Sequence, residues 1–187
     1  MEIRFVSGNQ YKIDETIKIM AGTGIEIIPF NQKIEELQTL DVKKLVKDKL
    51  MKAFTLVGRP LFVEHTGLYI EYLNEFPAGL TQIFWDSLTA HKFAEIIGSL
   101  PVTTVCAKTC IGYCDTKQIH YFYGEIKGNI ADIPRGSGDF QWDSVFIPEK
   151  YSQTFAEMGS EKNNISMRKK ALDNFKDYLL KERSNGR

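Results

Sequence analysis

The chain has 187 residues, 43% of them hydrophobic and 26% charged, which fits a soluble globular protein able to bury a sizeable core. Its 24 basic and 24 acidic residues cancel, so no global electrostatic case exists for a nucleic acid or an anionic membrane as partner. No apolar run approaches the roughly 20 residues of a membrane span.

The first ten residues, "MEIRFVSGNQ", enter a strand at once and do not read as a signal peptide. Residues 2–6 are the first expected strand. "NQYKIDETIKIMAG" follows with Ile13, Ile17 and Met20 at helical spacing and Gly22 as its stop. "IEIIPF" reads as a second strand. "LDVKKLVKDKLMKAFTLVG" is a long amphipathic helix with Leu45, Val46, Leu50, Ala53 and Phe54 as its apolar stripe. "PLFVEH" is a third, buried strand, expected to end in a polar turn of Glu64, His65, Thr66 and Gly67. "DSLTAHKFAEIIGSL" is a further helix. "TTVCAKTCIGYC" and "KQIHYFYGEIKGNIA", joined by the turn "CDTK", form a β-hairpin by their β-branched and aromatic content. "SMRKKALDNFKDYLLKE" is the last helix, ending in a short polar tail. The pattern predicts one α/β domain over 1–187 with a long antiparallel pair inside its sheet. Cys106, Cys110 and Cys114 fall at i, i+4, i+8 on one side of a strand. Three is an odd count, a metal site would need a fourth ligand, and reduced thiols in the cytoplasm are expected.

Three stretches carry chemistry. In "FVSGNQYK" a strand meets Ser7-Gly8-Asn9 and then a helix bearing Lys12. Free N–H groups at a helix start favour an anion, although an ordinary capped helix reads the same way. "RGSGDFQWD" holds Phe140 and Trp142, which can stack on a flat heterocycle or dock into a core, and Asp143, which can accept from ring N–H groups. "EKNNISMRKK" offers Lys162, Ser166 and Arg168, as a binding edge or as a solvated basic face.

Taken together, these stretches resemble the inosine triphosphate pyrophosphatase (Ham1-like) family. The family pattern strand-[ST]-G-N-x-x-K is matched by Ser7 to Lys12, E-D-[ST]-G-L by Glu64 to Leu68, and F-G-[YW]-D-P-x-F by Phe140 to Phe146. T-[FY]-A-E-M is matched by Thr154 to Met158, and K-N-x-[IV]-S-H-R by Lys162 to Arg168. The resemblance implies an elongated, two-lobed fold with a central mixed sheet flanked by helices and a cleft between the lobes. It implies Mg²⁺ dependence and frequent homodimers. It assigns Ser7, Asn9 and Lys12 to a triphosphate cradle, Lys49 to a second phosphate contact, and Glu36 and Glu64 to the surroundings of the metal. Phe140 would stack on the base. Trp142 and Asp143 would line its pocket, with Asp143 reading N1–H. Lys162, Ser166 and Arg168 would close the pocket, with Arg168 donating to the 6-keto oxygen. An acceptor at N1 and a donor at O6 suit hypoxanthine or xanthine and oppose adenine.

The departures from the family pattern matter. His65 stands where the family has aspartate, Gln82 where it has lysine or arginine, Gln141 where it has glycine, and Met167 where it has histidine. Imidazole is a poor Mg²⁺ ligand, so metal binding is expected to be weakened. The binding groups survive while the catalytic carboxylate does not. The expectation is therefore a nucleotide sensor with little or no hydrolysis, read by an effector protein in a homodimer or hetero-oligomer. The rival expectation is a working pyrophosphatase in which His65 or Glu64 takes the base role.

Overall fold

The computed structural model describes residues 1–138 and 140–184. The expected polar tail lies largely beyond the described residues. In chain order the elements are β1 (Glu2–Val6), α1 (Gln10–Met20), β2 (Glu26–Phe30), α2 (Val42–Val57), β3 (Leu61–Ile70), α3 (Thr81–Ile97), β4 (Thr104–Cys114), β5 (Ile119–Ile130), β6 (Phe146–Pro148), α4 (Phe155–Met158) and α5 (Met167–Ser184). One six-stranded sheet runs β2-β1-β3-β4-β5-β6. β1 pairs parallel with β2 and β3, and the β3–β4, β4–β5 and β5–β6 pairs are antiparallel. This is the expected mixed α/β sheet with its long hairpin.

Local chemistry sets the element ends. Asp115 Oδ1 accepts from the N–H groups of Lys117 and Gln118 at 2.8 and 2.7 Å, closing the hairpin turn. Asp41 Oδ1 caps α2 through the Lys44 N–H at 3.0 Å, and Gly58 ends that helix at φ 62°.

Alternate residues of β3 face opposite sides of the sheet. On one side Phe62 joins Ile3, Phe5, Ile13, Phe175 and Leu179 under α1 and α5. On the other, Leu61 and Val63 join Leu45, Val46 and Leu50 under α2. At the far end of the same strands, Leu68 and Ile70 pack with Phe93, Trp142, Phe146 and Phe155 under α3 and α4. The long strands thus tie two packed ends together, and the candidate site lies between them.

Three local expectations change. Glu64 to Gly67 are not a turn: they sit mid-strand in β3, paired residue for residue with Ile111, Cys110, Thr109 and Lys108 of β4. The strand continues because its residues are buried on both faces, and Gly67 alone lets the Ala78 carbonyl pass close to its backbone. Ile17 is exposed, and α1 buries Glu15 and Thr16 instead. α3 starts earlier than its apolar pattern suggests, and Thr89, at φ 61°, breaks it between a first half packed on the core through Phe84, Trp85 and Leu88 and a second anchored by Phe93, Ala94 and Ile97.

At Gly124 of β5 a side chain would run into Met167 O and the Ala171 N–H of α5. The helix lies flat on the strand only because that carbon is missing, and its first turn carries Arg168. Gly124→Ala is expected to cost about 1–3 kcal/mol in urea unfolding, the usual cost of overpacking. An unchanged midpoint would contradict this packing.

Candidate active site

The turn between β1 and α1 places Ser7, Gly8 and Asn9 at one end of a cavity of ≈ 580 Å³, with Lys12, Lys33, Glu36, Lys49, Gln82, Asp86 and Gln141 around it. Gly8 has the Lys33 backbone directly against it, so no larger residue fits. Asn9 Oδ1 caps α1 through the Lys12 N–H at 3.2 Å, and Ser7 Oγ accepts from the Asn9 N–H at 3.2 Å. The capped-helix reading and the anion reading therefore describe the same turn.

Beneath this cavity lies a buried charge network centred on Glu64. Lys12 Nζ is 2.6 Å from Glu64 Oε1, and Arg168 Nε is 2.8 Å from Oε2. Arg168 Nη2 adds a bond to Oε1 at 3.3 Å, and its Nη1 binds Glu15 Oε2. Burial by itself would raise the Glu64 pKa, but the charges of Arg168 and Lys12 outweigh it and hold the carboxyl well below the usual range. Burial pulls the Lys12 ammonium down, and Glu64 opposes that pull. Lys49 Nζ bridges Glu36 Oε1 at 2.6 Å and the Glu64 carbonyl at 3.0 Å.

His65 sits beside the same network. Its Nδ1 is 3.3 Å from Glu36 Oε2, and its buried Nε2 has no partner among the described residues. Burial lowers its pKa against the opposing pull of Glu36; in the neutral ring a proton on Nδ1 faces Glu36 and leaves Nε2 as the acceptor.

A second cavity, ≈ 370 Å³, is bounded by α1 residues Tyr11, Asp14, Glu15 and Lys18 and by Phe140, Asp143 and Lys162 across from them. Asp143 Oδ2 binds Lys162, while Oδ1 is buried without a partner. Burial lifts the Asp143 pKa to about 6 against the pull of Lys162. Lys162 Nζ stands 4.9 Å and Arg168 Cζ 5.9 Å from the Phe140 ring centre.

Ser7, Asn9, Lys12, Lys49 and Glu36 thus converge on one cavity, and Phe140, Asp143 and Lys162 on the other. The remaining expected residues are placed differently. Trp142 is 1% exposed and packs on Phe146 and Phe155 in the core, where its aromatic bulk is best buried, instead of lining either cavity. Ser166 Oγ is spent capping α5, accepting from the Lys169 N–H at 3.1 Å. Met167 is buried in the core. Arg168 is 1% exposed and gives three donors to Glu64 and Glu15, so only part of its guanidinium is left for a 6-keto group. Gln82 and Gln141, two of the departures, hydrogen-bond to each other at the rim of the larger cavity. Sequence reading missed Glu15. Its only signal was a carboxylate one helical turn after Lys12, on a face away from the apolar stripe.

The metal expectation is modified. Among the described residues no three His, Cys, Asp or Glu side chains are grouped to hold an ion. Both Glu64 oxygens are committed to cations, while Glu35, Glu36 and Asp86 are the carboxylates that line the larger cavity. Carboxylates that are not grouped do not make a protein cage, but Glu36, the one beside Lys49 and His65, fits a Mg²⁺ that takes its other oxygens from phosphates and water.

Residues 3–178 match the Ham1 family. An inosine triphosphate pyrophosphatase of Kluyveromyces lactis is 37% identical over 186 residues, covering 95% of each chain. A dITP/XTP pyrophosphatase of Methanopyrus kandleri is 33% identical over 180 residues, 95% of this chain and 96% of that protein. Among solved structures, a HAM1 protein from Coxiella burnetii has the same fold, with a TM-score of 0.81 at 22% identity over 97% of this chain and 99% of the other.

The buried charges make two outcomes testable. Glu64→Gln strands Arg168 and Lys12 without their shared counter-charge, and a loss of about 3–5 kcal/mol is expected in denaturant unfolding. A loss under about 1 kcal/mol would contradict the network. The second concerns Asp143. Between its ordinary 3.8 and about 6, the folded chain keeps a proton that the unfolded chain has lost. The group's contribution therefore falls as pH rises through that interval, by on the order of 2–3 kcal/mol. The stability of wild type relative to Asp143→Asn should decline from pH 4 to pH 6, and a flat difference would contradict the shift.

Proposed function

The chain belongs to the Ham1 family, and on that premise we propose that it hydrolyses a deaminated purine nucleoside triphosphate (ITP, dITP or XTP) to the monophosphate and pyrophosphate. The observation that carries the reading is the pairing of two adjoining cavities with opposite equipment. One gathers the lysines Lys12, Lys33 and Lys49 beside the β1–α1 turn. The other has an aromatic wall, Phe140, and a buried unpaired acceptor, Asp143 Oδ1.

In this reading the triphosphate lies in the larger cavity, where Lys12 and Lys49 exchange part of their carboxylate contacts for phosphate oxygens. The base lies against Phe140. Asp143 accepts from N1–H, and Lys162 with the uncommitted N–H groups of Arg168 faces O6. Adenine would set donor against donor there and leave buried groups unpaired. Glu36 would hold a Mg²⁺ bound with the phosphates, and that ion would neutralise their charge. His65, with Nδ1 steadied by Glu36, accepts a hydrogen bond from the attacking water at Nε2. As the water oxygen bonds to the α-phosphorus, its proton passes to His65 Nε2, the bond from the α-phosphorus to the bridging oxygen breaks, and pyrophosphate departs with that oxygen.

The silent sensor expected from the His65 substitution gives way here, because the relatives are named as pyrophosphatases. An effector subunit would be required only by that sensor. The three free thiols support a reducing, cytoplasmic setting, and we treat 1–187 as one domain. Among the described residues no helix is long and apolar enough to cross a membrane.

Wild-type protein should release pyrophosphate from ITP, dITP or XTP with kcat/KM about 10- to 100-fold above ATP, the worth of one or two unpaired polar groups. His65→Ala should lower kcat by about 10²-fold or more. An inert wild type that His65→Asp switches on would restore the sensor reading.

A further inference from the structure

Tyr11 carries no role in the reading above, yet its placement calls for one. The ring is 55% exposed on the second residue of α1, outside every apolar cluster of the core. Tyr11, Asp14, Glu15 and Lys18 recur at i, i+3, i+4 and i+7, which is one helix face, and all four line the ≈ 370 Å³ cavity. Across that cavity Phe140 is only 8% exposed. Two cations stand near its ring, and the Tyr11 ring stands 5.8 Å away at 54°. Of these neighbours, Tyr11 is the one in solvent and free to turn. A flat heterocycle reaching the Phe140 ring therefore meets Tyr11 first.

Resting on the reading that places the base in this cavity, we propose that Tyr11 is a second ring-stacking residue, with the purine held between Tyr11 and Phe140. Two contacts of about 3.5 Å each require roughly 7 Å between the flanking rings. The present spacing of 5.8 Å is close to that, so a small outward turn of an exposed side chain admits the base. Stacking is indifferent to the pattern of donors and acceptors on the base. Tyr11 then contributes affinity for any purine, while Asp143 and its neighbours select among them.

The test compares wild type, Tyr11→Ala and Tyr11→Phe on ITP and XTP, with inorganic tripolyphosphate as a competitor that has no base. Tyr11→Ala should raise KM for both nucleotides about tenfold, with kcat moving far less, and Tyr11→Phe should restore the wild-type KM. The inhibition constant of tripolyphosphate should be the same in all three proteins. An unchanged KM in Tyr11→Ala would overturn the proposal. So would a loss shared by tripolyphosphate, which would place the effect in the turn that starts α1. If wild type binds ITP without turnover, the hydrolase reading fails. The stacking role is then read from calorimetric Kd values of the same proteins, with the same two overturning results.

Discussion

Glu64 is the constraint on which the site is built. It sits in the middle of β3, where a carboxylate has no access to water, and it stays charged only because Lys12 and Arg168 reach it from two helices. Removing a charge from water costs several kcal/mol, and a neighbour on one side would repay only part of that. The turn at Ser7–Asn9 must therefore deliver Lys12, and the tight seat of α5 on Gly124 must deliver Arg168. Glu36 is held in the same manner from a loop, by Lys49 and His65. Lys12, Lys49, Lys162 and Arg168 are each tethered to a carboxylate. In the proposed reading, an incoming triphosphate meets lysines already in position and competes for them.

The two cavities divide the work between elements of different character. The larger one is lined by the β1–α1 turn, the loop before α2 and Gln82, Ile83 and Asp86 on the first half of α3, which the break at Thr89 separates from the half anchored by Phe93, Ala94 and Ile97. The smaller one is set between a face of α1 and the loop that carries Phe140 and Asp143. α1 touches both, sending Lys12 toward the charges and Tyr11, Glu15 and Lys18 toward the aromatic wall. Its position is fixed from behind by Ile13 and Met20 in the core.

Much of the fold was legible because its signals are local. The hairpin of β4 and β5 showed in β-branched and aromatic runs around an Asx turn, and α2 showed in its apolar stripe between Asp41 and Gly58. What remained hidden depends on distant partners. Nothing in "VEHTG" reveals that β4 pairs with it residue for residue, so a strand interior looked like a turn. Trp142 and Phe140 are two residues apart and equally aromatic, yet only packing against Phe146 and Phe155 decides that Trp142 belongs to the core. Arg168 could be placed in the site from its motif, but not beneath it, because its partners Glu15 and Glu64 lie far away along the chain. The same distance concealed Glu36 as the anchor of His65.

The central claim is that water attacks the α-phosphorus of a deaminated purine triphosphate in this cleft. Turnover of ITP in heavy-oxygen water, followed by mass spectrometry of the products, addresses it most directly. The account predicts the label in the nucleoside monophosphate and none in the pyrophosphate. Label in pyrophosphate or in free phosphate, or no product at all from a protein that binds ITP, would contradict it.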